Sequence, residues 1–151
     1  MSSPTDDQPL AFTVFNEIGI IEHLSRTAFE RVLPDGLSLA GFTVLNHLIR
    51  LGHARRPPAA IASALQVTRG AITGTVKRLE AQGLVRSDPD PTDGRGKGIS
   101  VTDKGRAVRQ AAIDALAPQL AGLLAQSSEA DFVALLPLLQ RLRAHLDAAR
   151  D

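Results

Sequence analysis

Apolar residues recur along most of this chain at the three- and four-residue spacing of helices, and two short strand-like stretches interrupt that rhythm once. Between Leu10 and Leu33, the residues Val14, Ile18, Ile21, Ala28 and Val32 fall four or three apart, with Ser25 filling the gap, and predict a first helix. Phe15, Ile20 and Leu24 add apolar surface outside that stripe, more than one domain's own core requires. Pro34-Asp35-Gly36 ends the pattern. Ser38 is the expected N-cap of a second helix that closes near Leu51-Gly52 and buries Phe42, Leu45, Leu48 and Ile49. Pro58 suits the first turn of a short third helix, Ala59 to Leu65, with Ile61, Ala62 and Leu65 facing inward. After the turn at Gln66-Val67, Thr68 caps a fourth helix from Arg69 to Gln82, and Gly83 ends it. Its core stripe is Ile72, Val76 and Leu79.

Leu84-Val85-Arg86 and Gly98 to Val101 read as two antiparallel strands. The connection from Asp88 to Lys97 holds two Pro, three Asp and two Gly, which predicts an exposed, turn-rich loop. Thr102 caps a long fifth helix, about Asp103 to Gln126, and Ser128 caps a sixth, about Glu129 to Ala149. Phe132, Leu135, Leu136, Leu139, Leu142 and Leu146 make an apolar seam along the sixth. That seam serves either a core within the chain or one shared with a second copy. Pro118 and Pro137 fall inside these helical patterns and are expected to kink them. Residues 1–9 read as a disordered tail.

Composition narrows the classes. The chain has 151 residues, 44% of them hydrophobic, and lacks Trp and Tyr, so its core rests on Leu, Ile, Val and Ala. No stretch approaches ~20 uninterrupted apolar residues, the length that a membrane helix needs. The acidic start MSSPTDDQPL lacks the basic-then-apolar plan of a signal peptide, so a cytoplasmic location is expected. With no cysteine there is no disulfide, no thiol-based sensing and no Cys-ligated metal. No cofactor or metal is expected, and no Ser/His/Asp order, phosphate-binding loop or HExxH pattern points to an enzyme.

Charge is partitioned. The net charge is only +1, yet residues 50–109 carry 12 Lys or Arg against 5 Asp or Glu, and the remainder carries 5 against 11. The basic block coincides with the third and fourth helices and the strand pair. Two short helices joined by a tight turn, followed by a basic glycine-rich loop, form a helix-turn-helix with a wing. Such a unit suits the phosphate-lined grooves of duplex DNA. The outward face of the fourth helix carries Arg69, Gly70, Thr73, Gly74 and Lys77. Two glycines inside a helix cost ~1 kcal/mol each relative to Ala. Close approach to a DNA groove is one compensation and tight packing between helices is the other.

These residues, in this order, resemble the MarR family of bacterial winged-helix transcription regulators over nearly the whole chain. The most specific piece is Asp93-Gly94-Arg95 followed by Ile99-Ser100-Val101-Thr102-Asp103-Lys104-Gly105, similar to the family's wing signature of Asp-x-Arg before a hydrophobic-Thr-x-x-Gly ending. LSLAGFTVLNHL in the second helix and RLEAQGLV at the end of the fourth support it. The resemblance implies a mostly α fold with a small antiparallel β wing. In it, residues 10–151 form a single domain whose winged helix-turn-helix lobe (37–102) is flanked by dimerisation helices (10–36 and 103–151).

It also implies a homodimeric regulator, more often a repressor, on a pseudo-palindromic operator in double-stranded DNA. Its two recognition helices would enter successive major grooves. Arg69, Thr73 and Lys77 are the expected major-groove or phosphate contacts, with Gly70 and Gly74 between them. Thr68 and the helix N-terminus would meet phosphate. Arg95 would enter the minor groove, Asp93 would support the wing, and Lys97, with Arg55 and Arg56, would add phosphate contacts. Gly94 stands where many members have Arg, one basic wing contact fewer.

In the family a small aromatic or phenolic anion usually binds between the dimerisation helices and the DNA-binding lobe. Phe15, His23, Phe42 and Asn46 are the candidates here, the alternative being that the two Phe are core and His23 is surface. Two other readings stand beside this one. A winged helix can serve protein contacts without DNA. A metal-responsive regulator would draw on Glu22, His23, Glu30, His47 and His53.

Overall fold

The structure, a computed structural model, describes residues 8–52, 55–89 and 96–150. Among these the order is α1 (Leu10–Glu30), α2 (Leu39–Arg50), α3 (Pro58–Leu65), α4 (Arg69–Ala81), β1 (Val85–Pro89), β2 (Lys97–Val101), α5 (Asp103–Gln126) and α6 (Glu129–Ala148). The chain falls into two compact units, one running through Ala115 and the other from Leu116 onward, so α5 contributes to both.

Local chemistry sets the boundaries. Ser38 Oγ accepts from the Gly41 amide at 3.0 Å and starts α2, and Thr68 Oγ1 accepts from the Ala71 amide at 3.1 Å and starts α4. Gly83 ends α4 at φ +74, a conformation open to glycine, and lets the Leu84 amide reach back to the Leu79 carbonyl at 2.9 Å. The strands are longer than the turn-rich composition predicts. Asp88 and Pro89 extend β1 and Lys97 begins β2, in the register Val85↔Val101 through Pro89↔Lys97. Pro89 is tolerated because an edge position asks no amide of it. A third chain segment joins the pair: Arg56 and Ile99 exchange backbone hydrogen bonds of 2.9 and 2.8 Å.

The core of the first unit gathers Val44, Leu45 and Leu48 of α2, Ile61 of α3, Ile72, Val76 and Leu79 of α4, Val85 and Ile99 of the strands, and Ala112 of α5. The α4 stripe is the one expected, with Thr75 buried beside it. On α2 the buried arc is rotated from expectation. Val44 and His47 are buried and Phe42 and Ile49 only half-buried, because α4 and β2 both pack on this helix and widen the arc. No residue of α1 is buried.

The second unit consists of the end of α5 and α6, the latter capped by Ser128 Oγ, which accepts from the Ala130 amide at 3.2 Å. Pro118 and Pro137 lie within continuous helices. Phe132, Leu135, Leu136, Leu139 and Leu146 are all exposed, so the seam of α6 is not a core within the chain. Among the described residues no helix is long and apolar enough to cross a membrane.

Candidate nucleic-acid interface

The α3–α4 unit is built from local hydrogen bonds. Gln66 takes the left-handed conformation (φ 54, ψ 46) that ends α3, and the Val67 amide reaches back to the Ala62 carbonyl at 3.0 Å. The chain then enters α4 through the Thr68 cap. That cap engages only one first-turn amide, so the other N-terminal amides and the positive end of the helix dipole remain available to a phosphate.

The outward face of α4 carries Arg69, Gly70, Thr73 and Lys77, all exposed, with Gly74 half-buried. Among the described residues neither Arg69 nor Lys77 has an ion-pair partner. Thr73 Oγ1 donates to the Arg69 carbonyl at 2.9 Å, which orders its side chain against the helix. A Cβ on Gly70 would meet nothing within 4 Å, and one on Gly74 only the tip of Arg78 at 3.7 Å. Packing within the chain does not require them.

Ala in both places is therefore expected to stabilise the lobe by about 0.5–1 kcal/mol per site and to weaken DNA binding about tenfold or more, one lost close contact. Thermal unfolding and fluorescence anisotropy would report the two effects. A more stable double variant with unchanged DNA affinity would remove these glycines from the interface.

The wing is braced at its base. Arg55 Nη2 stands 3.3 Å from Asp88 Oδ2, and its Nη1 donates to the Pro89 carbonyl at 3.2 Å. A Cβ on Gly98 would lie 2.0 Å from the Arg55 stem, so glycine makes room for this brace. Arg55, expected at a phosphate, is committed to the strand pair, and Arg56 is half-buried beside Ile99. Lys97 is exposed at the first position of β2. Asp93 and Arg95 lie outside the described residues, as does His53. Arg86, exposed on β1 with its Nε 3.5 Å from Asp88 Oδ2, is a further cation near the wing that sequence reasoning passed over, since it fell within a strand.

At its far end α4 is tied to α5. Thr102 Oγ1 donates to the Gly83 carbonyl at 2.6 Å and accepts from the Gly105 amide at 3.0 Å, and Lys104 Nζ donates to the Gln82 carbonyl at 2.8 Å. The Thr-x-x-Gly ending of the wing signature is this junction. The four effector candidates are spread out. Phe15 and His23 are exposed on α1, and Phe42 is half-buried against the core. Asn46 Oδ1 accepts from Arg109 Nε and Nη2 at 3.2 and 2.9 Å. Among the described residues no group of three or more His, Asp or Glu is gathered as metal ligands.

This geometry agrees with the comparisons. Residues 35–96 match the sequence model of the MarR family. The chain is 31% identical to the HTH-type transcriptional repressor NicR of Pseudomonas putida, over 93% of its own length and 90% of that protein's. The chain belongs to the MarR family. Two crystal structures in this family's fold extend the likeness. The transcriptional regulator BldR of Sulfolobus solfataricus superposes with a TM-score of 0.76 at 27% identity, covering 95% of this chain and 99% of BldR. A mutant of MarR from E. coli gives a TM-score of 0.73 at 26% identity, covering 93% and 99%. This MarR-family member is thus a mostly helical winged-helix transcriptional regulator, not an enzyme.

Proposed function

We propose that this MarR-family regulator is a homodimeric repressor that binds a pseudo-palindromic operator and leaves it when a small molecule binds. The observation that carries the DNA reading is the outward face of α4. It combines two cations without an ion-pair partner among the described residues, a Gly70 with open space above it, a Gly74 that faces only the tip of Arg78, and a capped N-terminus. Arg69 and Lys77 reach guanine edges or phosphate, Thr73 meets a base edge, and Thr68 and the α4 N-terminus hold phosphate. Arg95, supported by Asp93, enters the minor groove, and Lys97 adds a phosphate contact at the wing base. Residues 10–36 and 103–151 serve dimerisation around the lobe at 37–102, supported by the exposed apolar residues of α1 and α6. NicR, a repressor by name, supports the direction of control.

The test is titration of the protein into a labelled duplex from its own upstream region across a salt series. The expected result is tight, sequence-selective, salt-sensitive binding. Arg95→Ala is expected to weaken it and to lower the salt slope by about one unit, as loss of one phosphate-linked cation does. Selective binding that ignores the substitution would remove Arg95 from the interface while leaving the regulator intact. If genome-wide selection also returned no preferred site, a winged helix devoted to protein contacts would be the better reading.

A further inference from the structure

The wing is held to the rest of the lobe from two sides. From α4, Glu80 Oε1 accepts from the Ser87 amide at 3.3 Å and Oε2 accepts from Ser87 Oγ at 3.4 Å. From the segment before α3 comes Arg55, which bridges both strands. Its stem lies over β2 at Gly98, in the space that a Cβ there would take. Its guanidinium reaches β1, with Nη2 on the Asp88 carboxylate and Nη1 donating to the Pro89 carbonyl. Asp88 and Gly98 are partners in the register, so the slot and the anchor belong to one rung of the strand pair. Pro89↔Lys97 is the next rung, and Pro89 has no amide to give to it.

These contacts add little to stability. The side chains of Arg55 and Asp88 are 36% and 33% exposed, and ion pairs in such places are weak. What the guanidinium supplies is direction. Two donors in one rigid plane hold a carboxylate and a carbonyl at once, which a lysine ammonium on a flexible stem does not do. The next residue, Arg56, exchanges backbone hydrogen bonds with Ile99, and α3 begins at Pro58. The wing is thereby referenced to the start of the helix-turn-helix, and Lys97, exposed at the first position of β2, is carried by that geometry. Arg86 also stands near Asp88, but it lies on β1 itself and cannot tie the wing to α3.

We propose that Arg55 is a positioning residue. It sets the angle of the wing against the helix-turn-helix, and through it the selectivity for the bases that the wing reads, without itself contacting DNA. The effect on DNA rests on the regulator reading, whereas the brace stands on its own geometry.

Four variants of the full chain test this: Arg55→Ala, Arg55→Lys, Gly98→Ala and the double Arg55→Ala/Gly98→Ala. Gly98→Ala displaces the Arg55 stem and removes no charge. In the protein without DNA, Arg55→Ala and Gly98→Ala are each expected to speed amide hydrogen exchange in β1 and β2 about fivefold, with Ile72 and Val76 of α4 unchanged. The double variant is expected to match Arg55→Ala alone, because the added methyl then meets no stem. Unchanged exchange in Arg55→Ala overturns the brace, and so does a Gly98→Ala effect that adds to it in full.

Operator affinity is then measured on three duplexes: the native one, one altered within the half-sites, and one with A·T changed to G·C in the flank under the wing. Wild type is expected to discriminate against both altered duplexes about tenfold or more. Arg55→Ala and Gly98→Ala are expected to keep the half-site discrimination and the salt slope, while flank discrimination falls to within about twofold of none. Arg55→Lys is expected to behave as Arg55→Ala does. A salt slope lower by about one unit in Arg55→Ala, with binding restored in Arg55→Lys, makes Arg55 a phosphate contact and overturns the proposal. Equal losses at half-sites and flank overturn it too, since they mark general damage to the lobe. A wild type that binds no duplex selectively sinks the regulator reading and the selectivity role together, leaving the brace to the exchange measurement. A wild type selective at the half-sites alone keeps the regulator and overturns the role of Arg55.

Discussion

Replacing Leu136 with glutamate is expected to turn the proposed dimer into monomers and to remove most of its operator affinity. In the isolated chain Leu136 is 57% exposed, and together with Leu120, Leu124 and Phe132 it borders an apolar groove of about 390 Å³ between α5 and α6. An apolar surface of this extent marks a contact with something else. Burying one leucine contributes about 1.5–3 kcal/mol. A twofold interface contains the residue twice, so the loss is about 3–6 kcal/mol per dimer, or roughly two to four orders of magnitude in its dissociation constant. The introduced carboxylates add desolvation to that loss. Leu136 is not part of the lobe core, so circular dichroism should be unchanged while analytical ultracentrifugation shows one chain. A single chain holds one half-site, and operator binding falls accordingly. A variant that sediments as a dimer would show that α6 faces something other than a second copy.

Gly105→Ala is expected to be the most destabilising single-methyl change in the first unit. A Cβ at Gly105 would lie 2.1 Å from the Leu84 carbonyl oxygen and 2.8 Å from Val101 Cγ1. Neither neighbour is free to yield. Leu84 is buried and its carbonyl accepts from the Thr102 amide at 3.1 Å, while Val101 pairs with Val85. Overpacking of this kind costs typically about 1–3 kcal/mol and sometimes more. That corresponds to a fall in Tm of about 5–20 °C for a unit of this size. Gly122 provides the contrast on the same helix, since a Cβ there meets nothing within 4 Å. Gly122→Ala is expected to stabilise by about 0.5–1 kcal/mol. Differential scanning calorimetry of both variants checks the pair. Equal shifts would mean that the approach of α5 to Leu84 is not a constraint.

What the sequence discloses, and what it withholds, follows from the range of each interaction. Ser38, Thr68 and Gly83 act within a few residues, so the limits of α2 and α4 can be read from their caps. The strand ends cannot, because Asp88 and Pro89 have turn composition and are held in β1 by pairing with Gly98 and Lys97 across the wing. The α4 contact face was legible because one helix supplies all of it. The role of Arg55 was hidden, since its partners are more than thirty residues away. The apolar seam of α6 was visible as a stripe, but a stripe does not say which chain it packs on.

The junction at Thr102 has a mechanical consequence. Several hydrogen bonds moor the C-terminal end of α4: Thr102 to Gly83, Lys104 to Gln82, Gln82 Nε2 to the Gly36 carbonyl, and the Leu84 amide to Leu79. At the opposite end the hydrogen bonds are only the local Thr68 cap and the turn before it, and the hold comes from apolar packing, with Ile72 in the core and α4 against α3. Hydrogen bonding to neighbouring segments is therefore concentrated at the Gly83 end of the helix. A helix of 13 residues is about 20 Å long. A tilt of about 5° about Gly83 would move the Arg69 end by nearly 2 Å, enough to break a hydrogen bond there while barely disturbing the Gly83 end.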